Sequence, residues 1–469
     1  MSNAPLLQQA LAALAAQRYP LHMPGHKRRM APAPGLPAAW DLTEIDGADD
    51  LHDADGILAQ AMQRTAALWG AKRSWYLVNG STGGLLAALR ALAPYGSEVL
   101  VARNCHKAVY HGIELGNLRA HWLLPQHDDA FGIYGSITPA TVQAALQAHP
   151  HAACVVLTSP TYEGICSDVA SIASLCHAHG VPLLVDEAHG AHYLPLAAAH
   201  GWQGGAVAAG ADLVVQSAHK TLPSLTQTAL LHLCGPLADA DAVQRELDVF
   251  ETSSPSYPLL ASLDGCTAIL AEQGDALFAA WRARLDRFDA ATADLHTVRL
   301  LCHGADSPAC HKAVFAFDRS KILADIGPAG AAFLRRSGME PEMVCGHNLL
   351  AMTSPCDEDA ALDRLAALLH EWDAQAAPTA PLPAPPAPGE AVCTIAEALR
   401  RPAALVPMES AAGQVAAEYV WAYPPGVPLL APGERVTPAL LDALQALQAT
   451  GTRLRHTVAK APDMLAVVG

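Results

Sequence analysis

Short apolar runs alternate with stretches whose apolar residues recur at helical spacing, and that alternation is the clearest signal in this chain. Ile57, Leu58, Ala61, Met62, Ala66 and Leu68 predict a helix from Gly56 to Trp69. Trp75-Tyr-Leu-Val78 predicts a strand entering the polar loop Asn79-Gly-Ser-Thr-Gly-Gly84, which opens into a helix over Leu85–Leu92. Strands are predicted again at Glu98–Val101, Ala120–Leu124, Ala153–Leu157, Val181–Val185, Leu213–Gln216 and Thr228–Leu233. Helices are predicted between them, near Ala108–Leu115, Pro139–His149 and Val169–Ala178. This rhythm implies an α/β fold built on a mainly parallel, doubly wound sheet.

The pattern changes at both ends. Leu6, Leu7, Ala10, Leu11 and Leu14 predict an amphipathic helix within Met1–Pro20. Past Leu233 helical spacing dominates, with one long stretch from about Leu259 to Leu295, and the segments around Ala313-Val-Phe-Ala-Phe-Asp318 predict a smaller α+β unit. Ala374–Gly389 is rich in alanine and proline without apolar period and reads as an extended linker. The expected organisation is an N-terminal helix and linker (1–20), a large domain (21–285), a small α+β domain (286–373), the linker (374–389) and a C-terminal domain (390–469).

Composition narrows the function. Across 469 residues, 29 basic side chains stand against 45 acidic ones, a net charge of −16 that argues against general nucleic-acid or anionic-membrane binding. Eleven cysteines occur with no CxxC pair, as expected of reduced thiols. With no leader signature and no apolar run of membrane-spanning length, the expected address is cytoplasmic.

Candidate chemistry gathers where predicted strands end. Ser217-Ala-His219-Lys220-Thr221 follows the strand Leu213–Gln216, so Lys220 is expected at the C-terminal edge of the sheet, where α/β proteins place ligands. A lysine desolvated there can become a nucleophile. The Ser81-Thr82 loop ahead of a helix is a candidate phosphate cradle. Asp186 ends the strand Val181–Val185, and His106 follows another strand. A phosphate-bearing aldehyde such as pyridoxal phosphate (PLP) would use these parts together: an amine, a phosphate site, a carboxylate for the pyridine nitrogen and a flat group against the ring. Two rivals share some of these residues. Asp186-Glu-Ala-His189 suits a helicase, but no GxxxxGK[ST] loop exists. Asp186, His189 and His192 suit a metal hydrolase, with spacing unlike an ordinary zinc site.

The lysine segment Ser217–Gln227 resembles the signature of the bacterial ornithine/lysine/arginine decarboxylases, fold type I enzymes that use PLP. The likeness extends over Met23-Pro-Gly-His-Lys27, Asp49-Asp-Leu-His52, Asn79–Gly84, Arg103-Asn-Cys-His-Lys107, Pro160-Thr-Tyr-Glu-Gly164, Asp186-Glu-Ala-His189, Thr252-Ser-Ser-Pro-Ser-Tyr257 and Tyr423-Pro-Pro-Gly-Val-Pro428. It implies Lys220 as Schiff-base lysine, Asp186 at the pyridine nitrogen, His106 against the ring, and Ser81, Thr82, Ser217 and His219 around the phosphate. His189 would lie beside the lysine, and His26, Asp49, Asp50, Tyr257 and Glu418 would serve the substrate. The resemblance implies decarboxylation of arginine, lysine or ornithine for polyamine biosynthesis, a homodimer, no metal, and a short form without an N-terminal wing domain. Asp46 and Ala48 depart from the proline and leucine expected there, which bears on substrate preference. An aminotransferase or another lyase would share the same cofactor residues, an aminotransferase adding an arginine for a second substrate carboxylate; a non-catalytic paralogue would keep the fold and lose Lys220 or Asp186, and both are present.

Overall fold

The computed structural model describes residues 19–21, 49–377, 387–422, 426–449 and 452–469. At its centre is a seven-stranded sheet: β1 (Arg73–Leu77), β2 (Glu98–Ala102), β3 (Arg119–Leu123), β4 (Val155–Thr158), β5 (Leu183–Asp186), β6 (Leu213–Gln216) and β7 (Ala229–Leu233). Across the sheet the order is β1-β7-β6-β5-β4-β2-β3. All neighbours pair parallel except β7, which runs antiparallel to both β6 and β1. Six strands therefore point the same way. The chain leaves β1, β2, β4, β5 and β6 at one edge, which brings residues as distant in sequence as Asn79 and Lys220 into one row.

Strands β5, β6 and β7 are buried throughout, as expected of a sheet covered on both faces. The helix Gly80–Leu92 packs closely enough that a Cβ on Gly84 would stand 2.4 Å from Leu77 Cδ1 and 3.2 Å from Val215 Cγ1. Glycine is therefore a packing requirement there. Local signals set helix starts: Thr138 Oγ1 accepts from Thr141 N with Pro139 in the first turn, and Asp168 Oδ1 accepts from Ser171 N.

Some boundaries differ from expectation. Gly80–Gly84 is the first turn of the helix rather than a preceding loop, because Gly80 adopts φ 72° at the turn out of β1 and the next amides enter the helix at once. Tyr19–Leu21, whose first two residues periodicity placed in a helical segment, is a strand paired in parallel with Met339–Pro341. The rest of that predicted helix lies outside the described residues.

A second, antiparallel sheet is ordered Arg299–Leu300, Lys321–Asp325, Asn348–Met352, Met343–Cys345. Ala316–Phe317 does not join it, and pairs instead with Ile165–Cys166 of the large unit. The 35-residue helix Tyr257–Ala291 runs unbroken past residue 285. Its Trp281, fully buried, stacks on Trp202 at 4.2 Å and donates to Thr353 Oγ1 at 2.9 Å, joining the two units. Burial of such a side chain stabilises by roughly 3 kcal/mol. The C-terminal unit has its own apolar cluster, including Met408, Val420, Leu430, Leu444 and Leu465. It docks through a buried ion pair: Arg103 Nη2, just beyond β2, lies 3.0 Å from Glu434 Oε2 and also donates to Leu429 O.

Candidate active site

Five turns meet at the sheet edge. After β6 a single helical turn, Ala218–Thr221, carries Lys220 inward, and its Nζ lies 2.9 Å from His189 Nε2 on the turn after β5. Burial pushes the amine down to about 8; nearby Asp186 and Glu342 oppose that shift and Lys321 adds to it. A displacement of that size amounts to roughly 3 kcal/mol against the charged form. His189 is held neutral, far below the usual imidazole range, first by burial and then by Lys220 and Lys321. Its Nε2 thus accepts from Lys220, while its Nδ1 is buried without a partner among the described residues. The Tyr162 ring, from the turn after β4, lies against His189 with centroids 4.6 Å apart.

His106 begins the helix Lys107–Leu115, and its Nδ1 accepts from Ala108 N at 3.2 Å. Burial, then Lys220, Lys107 and His111, pushes it down to about 3, so this ring is a neutral flat surface. Asp186, buried at the end of β5, accepts from Ala188 N at 3.1 Å. Burial raises its pKa and Lys220 works the other way. A buried carboxylate in that condition is stabilised by any cationic N–H brought against it.

The turn after β1 presents Ser81, half-buried, and Thr82, exposed, in the first turn of a helix. Glu251 fixes this turn: its Oε2 accepts from Val78 N at 3.0 Å and Asn79 N at 3.1 Å. Ser217 is fully buried, and its Oγ has no hydrogen-bond partner among the described residues. His219 is tied through Nδ1 to Thr228 O at 2.8 Å. Glu187, within the same motif as Asp186, faces away: it accepts from Ala206 N and Gln216 Nε2, both at 2.7 Å, and burial pushes it up to about 8.

Several expected substrate residues are occupied otherwise. Asp49 turns its carboxylate onto the amides of Gly56 and Leu58, at 2.9 and 2.8 Å, capping the helix Ile57–Trp69. Tyr257 donates to the Asp49 carbonyl. Asp50 is exposed and accepts from His52 N. Glu418 is a correction: it is wholly buried inside the C-terminal unit, accepting from Val458, Ala459 and Ala466 N at 2.8–2.9 Å, with His456 Nδ1 at 3.3 Å. With its oxygens used by the fold, it is not available to a ligand. His26 lies outside the described residues.

Other groups at the site were not singled out by sequence. Lys321 is fully buried, its Nζ 3.0 Å from Ser320 Oγ, 3.4 Å from His189 O and 3.5 Å from Asp318 Oδ2. Glu342 accepts from the Tyr162 hydroxyl and acts electrostatically on both Lys220 and Lys321. A lysine opening the apolar strand Lys321–Asp325 was the available sign. The metal-hydrolase trio does not assemble: His192 Nε2 faces Asp318 Oδ1 at 3.2 Å, while His189 faces Lys220.

Two family models match the chain: "Orn/Lys/Arg decarboxylase, major domain" over residues 35–296, and its C-terminal domain over 384–454. The chain belongs to the Orn/Lys/Arg decarboxylase family. It is 32% identical over 463 residues to arginine decarboxylase of Bacillus subtilis (strain 168), covering 90% of this chain and 89% of that protein. To the constitutive lysine decarboxylase of Escherichia coli (strain K12) it is 30% identical over 235 residues, covering 47% and 32%. The structure of the E. coli constitutive lysine decarboxylase superposes with a TM-score of 0.77 at 22% identity, over 99% of this chain and 82% of that one. Sphingomonas wittichii serine palmitoyltransferase superposes at 0.52 and 16% identity over 67% and 75%, placing the central sheet among fold type I architectures. Family membership points to a PLP-dependent decarboxylase.

The depressed Lys220 amine gives a direct expectation. With a small aldehyde trapped by borohydride and the adduct located by peptide mapping, labelling of Lys220 rises with the neutral fraction and reaches half its maximum near pH 8. Removing the neighbouring cation in Lys321→Met moves that midpoint upward. A wild-type midpoint at the ordinary lysine value, roughly pH 10.4, contradicts the burial argument.

Proposed function

We propose that this decarboxylase acts on a basic amino acid, with arginine as the first candidate, and holds PLP at the sheet edge. The observation that carries the reading is the juxtaposition of a partly neutral Lys220, a buried Asp186 and a neutral His106 ring along one edge of the sheet. Arginine is preferred because relatives aligning over about 90% of the chain are named arginine decarboxylase, whereas those named lysine decarboxylase align over 47%.

The residues fit the cofactor. Ser217 Oγ is a buried hydroxyl with no partner among the described residues, and with Ser81, Thr82 and the helix N-terminus at Gly80 it forms a donor set for a phosphate, which His219 Nε2 would join as the imidazolium, its Nδ1 donating to Thr228 O. Bound PLP supplies a ring that accepts the electron pair left at Cα when carbon dioxide departs. Lys220 would be its attachment point, Asp186 would hold a proton on the ring nitrogen, and the neutral His106 ring would offer it a flat surface. Lys220 and His189, 2.9 Å apart, hold and move the proton that replaces the carboxylate at Cα. Glu342, anchored by Tyr162, is the carboxylate suited to the substrate's cationic tail. The amine produced belongs to the polyamine class of compounds.

The acting unit is a homodimer in which the segment 252–257 reaches the neighbouring subunit. An active monomer by light scattering at assay concentration would exclude that arrangement.

Purified protein supplied with PLP and, separately, arginine, lysine and ornithine should release carbon dioxide and the matching amine from one of them. In Asp186→Asn the visible absorbance of bound cofactor remains while turnover falls about a hundredfold or more, roughly 3 kcal/mol of barrier. Near-normal turnover in a folded, cofactor-loaded variant would make Asp186 scaffold only.

A further inference from the structure

The segment Cys302-His-Gly-Ala-Asp306-Ser-Pro-Ala-Cys310-His311 concentrates soft and borderline ligand atoms in one loop, outside the site above. Donor atoms of Cys302, Asp306 and His311 all lie within 4.8 Å of one another. In a tetrahedral zinc centre such atoms stand roughly 3.3–3.8 Å apart, so small side-chain movements bring them to a shared ion. We propose that this loop is a binding site for a divalent transition cation of the zinc class, ligated by Cys302 Sγ, an Asp306 carboxylate oxygen and His311 Nε2.

Orientation of the histidine supports the assignment. His311 Nδ1 lies 2.6 Å from Asp128 Oδ2, and Asp128 is itself fixed because its Oδ1 accepts from Phe131 N at 2.9 Å. With the ring proton donated to Asp128 through Nδ1, the Nε2 lone pair is directed at Asp306 Oδ2, 2.6 Å away. Two acceptors at that separation need a positive species between them. In the metal-free protein it is a proton; the cation takes its place, and that proton and the Cys302 thiol proton are both released to solvent. A carboxylate behind the far nitrogen of a ligating histidine is the arrangement that fixes ring orientation in metal sites.

The donor set is also spatially distinct. His303, between the ligands in sequence, is committed elsewhere: Nδ1 to Asp289 Oδ1 at 2.6 Å and Nε2 to Lys321 O at 2.8 Å. Asp306 Oδ2 accepts from Cys302 N at 2.8 Å, which folds the carboxylate back over the cysteine. Asp306 and His311 line a cleft of ≈ 260 Å³ that leaves a fourth position open to water or a small ligand. Cys302 is buried, the His311 side chain is only 8% exposed, and Asp306 stands partly exposed at the mouth. Thiolate, imidazole and carboxylate together select zinc, cobalt or a similar ion over magnesium or calcium.

The test is a cobalt(II) titration of chelator-treated holoenzyme, followed by its absorbance. One equivalent should produce a thiolate-to-cobalt charge-transfer band, and zinc should displace it and raise the Tm. Cys302→Ser should lose the band, His311→Gln should lose binding, and Asp128→Asn should weaken affinity about 10- to 100-fold while the variants keep wild-type decarboxylation. Absence of the band in wild-type protein, or unchanged binding in Cys302→Ser and His311→Gln, would overturn the assignment. Binding without a thiolate band would place the ion on a nitrogen and oxygen donor group such as Glu98, His121 and His149, and would equally overturn it.

Discussion

An amine must be kept poised between charged and neutral inside a protein, and most of this structure's polar arrangement follows from how Lys220 achieves that. Burial weakens the hold of Lys220 on its proton; Asp186 and Glu342 return part of the lost stabilisation, and Lys321 removes some again. Two imidazoles that feel its charge, His106 and His189, are themselves neutral. A cationic histidine at 2.9 Å would push the amine down further still, so the neutrality of His189 is part of the balance.

Holding such groups requires a rigid frame, and the sheet supplies it through buried polar links that cross the strands. Glu187 on the turn after β5 accepts from Gln216 on β6; Gln216 Oε1 meets His232 Nε2 on β7 at 3.2 Å; His232 Nδ1 meets Ser74 Oγ on β1 at 2.7 Å. This line runs beneath the site and fixes four strands relative to one another. Glu251 does the same for the turn after β1. On the outer side, Arg103 and Glu434 tie the turn after β2 to the C-terminal unit as a buried charge pair, in which Glu434 Oε2 also accepts from Ala431 N at 3.0 Å.

Legibility in the sequence tracked the physics of each feature. The parallel sheet was readable because strands buried on both faces are nearly continuous apolar runs, as in Leu183-Leu-Val185 of β5 and Leu213-Val-Val215 of β6. Residues immediately after those runs were readable for the same reason, so Asp186, His189, Ser217 and Lys220 could be placed along one sheet edge. Lys321 and Glu342 come from outside that sheet, and nothing in local spacing says which tertiary face they meet. Charge misled in the other direction: Glu418 and Asp49 look like acidic groups available to a cationic substrate, yet both carboxylates are taken up by backbone amides. The helix start at Gly80 was hidden because glycine, serine and threonine carry no apolar period.

We propose Lys220 as the amine that carries the cofactor. Reduction of PLP-loaded protein with borohydride, followed by proteolysis and mass spectrometry, should place the pyridoxyl group on Lys220, and Lys220→Ala should lose both the adduct and the visible absorbance. Recovery of the adduct on Lys321 or Lys107, with absorbance retained in Lys220→Ala, would contradict it.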